Sequence, residues 1–305
     1  MSRPAARDPL HTRLARRLGD HARVHLCAAL ARLGVPARLD YGGFDILLPA
    51  THALPDLLRH HPRYDRFLPQ LAASLQAGDL VVDVGANVGD TLAGMVAANP
   101  DLSFACIEPD PEFLGFLTGN VDRIRAAVPQ LRAVVVPALV GLQVSAASLT
   151  GSDGTRHALP GPGPHRAETL DALLAREDVG RVRLLKSDVD GFDHDVLMSA
   201  QGTLRRDRPL LFFECQYVDA VQKDGFERTI AFLCDLGYVD WTVFDNYGEV
   251  MLRTRQVEAV RELIGYVWRQ NEGRATRTVH YLDILAACPA DAGIVRAALA
   301  RHGVD

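Results

Sequence analysis

Residues 80–91 read LVVDVGANVGDT. Leu80, Val81, Val82 and Val84 run into Gly85, and an amphipathic segment starts just past Gly89, the pattern of a buried strand, a tight turn and a helix. Two glycines let the backbone turn sharply and approach a ligand with no Cβ in the way, and the helix beginning near Asp90 turns its free N–H groups toward the same space. Glu108 closes the apolar run 103–107, about twenty residues past the glycines, where an acid can accept hydrogen bonds from ribose hydroxyls. The stretch therefore predicts half of a nucleotide pocket.

Charge selects the ligand. A dinucleotide sets its pyrophosphate on the helix N-terminus, favoured by G-x-G-x-x-G with no carboxylate nearby. Here Asn87 stands at the middle glycine, and Asp83 and Asp90 flank the turn. These acids repel a diphosphate but suit the ammonium and sulfonium of S-adenosylmethionine, whose carboxylate can still reach the backbone N–H groups. The sulfonium cofactor is the favoured ligand.

A chain of 305 residues, 48% hydrophobic, can bury a full α/β core. A net charge of −5 argues against a nucleic-acid groove, which would make the domain basic. The five cysteines (Cys27, Cys106, Cys215, Cys234 and Cys288) are scattered without C-x-x-C spacing, so neither a disulfide framework nor a thiolate metal site is indicated, and a reducing cytoplasm is expected. No apolar run reaches the length of a membrane span, and the Arg-containing N-terminus lacks the apolar segment of a signal peptide. Only Lys186 and Lys223 are lysines among 33 basic residues, which singles out Lys186 at a strand end.

Around the hub, residues 10–33 have helical periodicity, 37–41 and 44–48 flank Gly42-Gly43 as a hairpin would, and 52–75 is helical but broken by Pro55, Pro62 and Pro69. Tyr64, at the end of that region, either lines the pocket from below or packs a helix. Strands at 103–107, 133–138, 181–187 and 210–213 alternate with helices at 91–98, 111–128 and 169–176, predicting a largely parallel sheet. Segments 239–244, 250–252 and 280–286 add later strands, with an antiparallel edge. Residues 150–166, with three prolines and four glycines, are expected to lack regular structure and to form a lid or a loose connection.

In such sheets ligands lie beyond the carboxyl ends of the strands. Asp83 and Glu108 belong to the cofactor half; Asp188 and Glu214 end strands on the acceptor half. Lys186 and Asp188 are two apart, hence on one face, and Asp190-Gly191 leads into a turn holding Asp193, His194 and Asp195. Asp188, Glu214 or His194 could take a hydroxyl proton, and Lys186 could stabilise an alkoxide or serve as base if burial lowered its pKa. A divalent cation held by Asp188, Asp190 and Glu214 is the less favoured alternative, because these acids lack short fixed spacing. Ala138 and Leu139, past the third strand, either cover an adenine face or simply end a strand.

Together DVGANVGDT (83–91), IEPDP (107–111), ETLDALL (168–174), KSDVDGFDHDVLMSA (186–200) and the strand ending at Glu214 resemble the FkbM-type family of S-adenosylmethionine-dependent methyltransferases over roughly half the chain. The resemblance implies a Rossmann-like class I methyltransferase fold, a mostly parallel seven-stranded sheet with one antiparallel edge strand, and O-methylation of a sugar, glycan or polyketide-type metabolite. It implies that Asp83, Gly85, Asn87, Gly89 and Glu108 contact the cofactor, with Ala86, Asp90, Thr91 and Pro109 in the same motifs, and that Lys186 to Gly191 lies near the reacting methyl. The family usually carries Glu where Asp190 stands, a shorter acid with less reach. The expected layout is an accessory N-terminal helix and hairpin (1–63), a methyltransferase domain (64–288) and a C-terminal helix (289–305), the first of these bearing selectivity or subunit contacts. A nucleotide-binding partner subunit or sensor without catalysis is the competing reading; the joint presence of Lys186, Asp188 and Glu214 favours the enzyme.

Overall fold

The computed structural model describes residues 25–304 other than 27, 28, 31, 152, 153, 218, 275, 276 and 278. Most of the helix expected at 10–33 lies outside the described residues. The hairpin forms as predicted, β1 (Ala37–Asp40) pairing antiparallel with β2 (Asp45–Leu48). Two of the three prolines place the helices that follow. Pro55 sits in the first turn of α1 (Leu54–His60), where its missing N–H costs nothing, and Pro69 lies near the start of α2 (Phe67–Ala72).

The central units come next: β3 (Leu80–Val84), α3 (Asp90–Ala98), β4 (Ser103–Ile107), α4 (Pro111–Ala127) and β5 (Arg132–Val136). A second set follows a small sheet: α5 (Leu170–Arg176), β10 (Val182–Ser187), α6 (Asp193–Ser199), α7 (Gln201–Asp207), β11 (Leu210–Cys215) and α8 (Ala220–Asp235). The chain then runs through β12 (Asp240–Asp245), β13 (Val250–Thr254), α9 (Val257–Asn271), β14 (Leu282–Ala287) and α10 (Ala292–Arg301). Among the described residues the main sheet has eight strands in the order β13-β12-β14-β11-β10-β3-β4-β5. The α/β, Rossmann-like class expected from the motifs is present, with two differences at one side. β13 extends the sheet by a strand, and the reversed strand β14 lies inside it, antiparallel to both β11 and β12, with β13 antiparallel at the edge. Hairpin-like spacing around 246–248 predicted the β12–β13 pair; nothing local could show that a strand thirty residues later would insert beside β12.

Alternation along each strand divides the core. Val82 and Val84 face one apolar cluster together with Ala105, Ile107, Leu185 and Phe213, whereas Val81, Phe104, Cys106, Leu184 and Leu210 face the other. The second cluster also holds Ile46, Leu48 and Leu54 from the N-terminal segment and Val295, Ala298 and Leu299 from α10, so hairpin and C-terminal helix share one core with the sheet. A polar clamp fixes the hairpin: buried Asn120 of α4 accepts from Leu47 N at 2.8 Å and donates to Leu47 O at 2.7 Å and Val88 O at 2.8 Å. Asn120→Ala leaves these backbone groups without partners and is expected to cost about 1–3 kcal/mol in urea unfolding; an unchanged midpoint would refute the clamp.

Residues 150–166 are not structureless. β7 (Ala146–Thr150), β8 (His157–Pro160) and β9 (His165–Glu168) form a small sheet with β6 (Leu139–Val140). The glycines and prolines concentrate in the β8–β9 connection, where a Cβ on Gly163 would lie 2.2 Å from Ala147 O. The expectation that this stretch lacks regular structure holds only for that connection; the strands on either side take their order from pairing with β7. Asp195 ties this sheet to α6 by accepting from the backbone N–H of Leu142 (2.9 Å), Gln143 (2.9 Å) and Val144 (3.2 Å).

Candidate active site

The turn after β3 has the geometry its glycines predict. Gly85 has φ +77°, and a Cβ there would lie 2.0 Å from Asp188 O; Gly89 has φ +86°. Asn87, at φ +49°, takes a left-handed conformation that Asn tolerates better than most residues, which explains how it stands where a glycine was expected. Its N–H donates to Glu108 Oε2 at 2.8 Å, while Asp110 N–H donates to Glu108 Oε1 at 2.8 Å, so the acid after β4 clasps the turn from behind. Burial pushes the Glu108 carboxyl up to about 7, against the opposing pull of those two N–H groups.

Strand register builds the charged centre. Lys186 of β10 is the direct neighbour of Asp83 of β3, with Cys106 on Asp83's other side and Phe212 on that of Lys186. Lys186 Nζ lies 3.0 Å from Asp83 Oδ1 and 3.5 Å from Asp188 Oδ2, and donates to Gly85 O at 2.9 Å. Burial alone would lower the lysine pKa, but the Asp83 and Asp188 carboxylates outweigh it and hold Lys186 well above its ordinary value. Lys186 is therefore an ammonium and not a neutral base, which corrects one of the roles the sequence left open. Asp83 is wholly buried; burial lifts its carboxyl to about 6 despite Lys186, so it remains ionised at neutral pH.

Asp188, just past β10, is the ionised acid of the next pair. Although burial opposes it, the Lys186 ammonium and a hydrogen bond from Glu214 hold its carboxyl below the usual range. Glu214, buried on β11, is pushed well above the carboxylate range by burial and by the charge of Asp188, so it is the partner that keeps the proton. Its Oε1 has no hydrogen-bond partner. Behind them Asp193 accepts from Ser187 Oγ at 2.6 Å, Val189 N–H at 3.2 Å and Gly191 N–H at 3.3 Å, bracing the loop that carries Asp188 and Asp190.

These groups meet in one cleft at the carboxyl ends of the parallel strands. Tyr64, Gly85, Asn87, Asp90, Thr91, Lys186, Asp188, Asp190 and Glu214 line it, uniting nine of the sequence-predicted positions. Others lie behind its walls. Asp83 sits beneath Lys186, buried Ala86 donates its N–H to Ile107 O at 3.0 Å, and Gly89 begins α3. Glu108 is one hydrogen bond behind Asn87, and its own N–H donates to Val136 O at 3.1 Å; Pro109, Ala138 and Leu139 are not among the residues lining the cleft. His194 is not brought into the cleft. Its ring packs against Phe226 (centroids 5.1 Å apart) and against Gly225, where a Cβ would lie 2.2 Å from Cδ2; Nδ1 is 3.2 Å from Gly191 O, and burial lowers its pKa.

Several lining residues carried no sequence signal. His52, Leu54, Leu57 and Asp65 come from the N-terminal segment, Gly154 and Thr155 from the proline- and glycine-rich stretch, and Tyr281 from the residue before β14. Asn87 latches two of these pieces: Nδ2 donates to Gly154 O at 2.7 Å, and Oδ1 is 3.4 Å from His52 Nε2. Arg156 extends the cover over the rim, 3.1 Å from Asp110 Oδ2 with its guanidinium 4.5 Å above the Phe113 ring. Among the described residues no group of three or more His, Cys, Asp or Glu side chains is arranged to hold a metal ion.

The model of the methyltransferase FkbM domain matches residues 83–239, from the buried acid of β3 to the residue before β12. The chain belongs to the FkbM methyltransferase family. No curated protein matches it in sequence. Among solved structures, the FkbM methyltransferase of Methylobacillus flagellatus KT is similar, with 15% identity and a TM-score of 0.42 over 80% of this chain and 57% of that one. The precorrin-6y C5,15-methyltransferase of Geobacter metallireducens GS-15 is 13% identical, with a TM-score of 0.40 over 73% of this chain and 86% of that one. The AdoMet complex of M. jannaschii TYW2 is 10% identical, with a TM-score of 0.41 over 82% and 84% of the two chains. As an FkbM methyltransferase the chain requires a methyl donor, and the residues present fit S-adenosylmethionine. No side chain caps α3, and Asp90 and Thr91 open its first turn to the cleft, offering N–H groups for a carboxylate beside acids for the cationic centres.

Proposed function

We propose that this methyltransferase takes its methyl group from S-adenosylmethionine and transfers it to a hydroxyl of a sugar, glycan or polyketide-type metabolite. The observation that carries this reading is Asp188, whose carboxylate lies 3.5 Å from Lys186 Nζ and lines, with Glu214, the cleft that the glycine turn borders. S-adenosylmethionine supplies an electrophilic methyl on sulfur; the residues must align the acceptor and remove its proton. Asp188 accepts the hydroxyl proton. Lys186, which stays charged, steadies the negative charge of the forming alkoxide and fixes the position of Asp188. Asn87 and the start of α3 hold the donor, Glu108 bracing Asn87 from behind, and Tyr64 and Tyr281 wall the acceptor side. No helix among the described residues is long and apolar enough to cross a membrane.

Calorimetry with S-adenosylmethionine, S-adenosylhomocysteine and NAD tests the donor. Binding of the first two without NAD is the expected result, and tight NAD binding, or none of the three, overturns the reading. Asp188→Ala is expected to reduce turnover by about 10²-fold or more, the usual contribution of a positioned proton acceptor, with donor affinity little changed. Full residual activity would remove Asp188 from the reaction, and donor binding with no transfer to any hydroxyl acceptor would favour the partner-subunit reading.

A further inference from the structure

The cleft as it stands is smaller than what it has to hold. It encloses about 150 Å³, whereas pockets that enclose a drug-sized ligand begin at about 300 Å³, so one of its walls must give way when a donor enters. The walls differ in how they are held. Gly85, Asn87, Asp90 and Thr91 belong to the glycine turn and α3, and Lys186, Asp188 and Glu214 to the strand ends, all tied into the main sheet. Residues 154–156, which lead into β8, face the same cleft through Gly154 and Thr155. Among the described residues no backbone-to-backbone hydrogen bond joins 154–156 to the body of the protein; side chains hold them, in two latches. In the first, Leu54 N–H donates to His52 Nδ1 at 3.2 Å, which leaves the proton of the neutral ring on Nε2, 3.4 Å from Asn87 Oδ1. Asn87 Nδ2 in turn donates to Gly154 O at 2.7 Å, and the His52 ring fills the space where a Cβ on Gly154 would lie. In the second, the Arg156 guanidinium lies 3.1 Å from Asp110 Oδ2 and 2.7 Å from Glu112 Oε2 at the start of α4, and stands over the Phe113 ring. It also donates back to Gly151 O at 3.2 Å and Thr155 O at 3.1 Å, stiffening its own turn. Both latches end on the donor half of the site, one on Asn87 and the other two residues past Glu108.

We propose that residues 154–156 form a strap across the bound donor, and that His52 and Arg156 are positioning residues that set how fast S-adenosylmethionine enters and S-adenosylhomocysteine leaves. This rests on the methyltransferase reading above. Both side chains act through Gly154 and Thr155. With the latches made, the strap keeps water from the sulfonium methyl; with them broken, it supplies the volume the closed cleft lacks. Because the Asn87 latch is part of the turn that receives the donor, seating the donor and seating the strap are one event.

Dissociation of S-adenosylhomocysteine, followed by surface plasmon resonance or by isotope chase, is expected to be about tenfold faster in Arg156→Ala and in His52→Ala than in the parent protein. Arg176→Ala removes ion pairs to Glu168 and Glu177 beside the same small sheet but outside the cleft lining, and as the control it should stay within about twofold of the parent. In the parent, bound S-adenosylhomocysteine is expected to slow amide hydrogen exchange across 154–157, a readout that decides even where a variant fails to fold. Dissociation within about twofold of the parent in either latch variant, equal acceleration in Arg176→Ala, or exchange at 154–157 that ignores the bound ligand overturns the strap. A parent protein that does not bind S-adenosylhomocysteine overturns the reading of the cleft itself, so the two failures are separable.

Discussion

Lys186→Met is expected to lower the unfolding free energy by about 3–5 kcal/mol and to abolish methyl transfer. Lys186 is the ion-pair partner of Asp83, and Asp83 is wholly buried with an Oδ2 that has no hydrogen bond. A methionine of similar length fills the space but leaves a carboxylate sealed against Cys106 and the core. The pH dependence gives the sign. Asp83 already has a folded-state pKa raised to about 6 from 3.8, so its ionisation costs stability as pH climbs through that interval. Without Lys186 the folded value rises further, and the variant should lose stability relative to the parent progressively from about pH 6 upward. Asp83→Leu combined with Lys186→Met should regain most of the loss, since replacing both partners with apolar groups removes the orphaned charge, yet remain inactive. Urea unfolding between pH 5 and 8 checks all three, and a single variant as stable at pH 8 as at pH 5, relative to the parent, refutes the buried-charge account.

Gly85→Ala is expected to remove donor binding below detection and to cost about 2–5 kcal/mol. At φ +77° an L-residue pays about 1–2 kcal/mol for the backbone conformation. The added Cβ, 2.0 Å from Asp188 O, must then displace the β10 loop, a strain of about 1–3 kcal/mol. Because the displaced atom belongs to Asp188, the damage reaches the acceptor side as well as the donor side. Gly43→Ala, where no heavy atom lies within 4 Å and φ is unconstrained, is the control and should be silent in the same unfolding and calorimetric measurements. Donor affinity within a few-fold of the parent would show that the turn is packing only.

Much of this site was legible because its spacing is local. Strand, glycine turn and helix are consecutive in 80–91, and Glu108 follows at the distance of one βαβ step, so the donor half could be drawn from a single stretch. Lys186 and Asp188 were legible as a same-face pair, but the charge state of Lys186 depends on Asp83 being its cross-strand neighbour, a fact of register a hundred residues distant. His194 misled for the complementary reason: beside two acids in sequence, it turns toward Gly225 and Phe226 on a helix that local spacing does not position. Asp65 and Tyr281 left no trace because each lies outside a motif and reaches the cleft only through tertiary packing. In 150–166 the prolines and glycines concealed two strands whose order comes from pairing with β7.

The reversed strand β14 is a keystone. The β12–β13 hairpin is joined to the parallel strands only through β14, and Tyr281, the residue before it, lines the cleft with Glu214 of β11, so any substitution that loosens β14 both unmoors the hairpin and opens that wall.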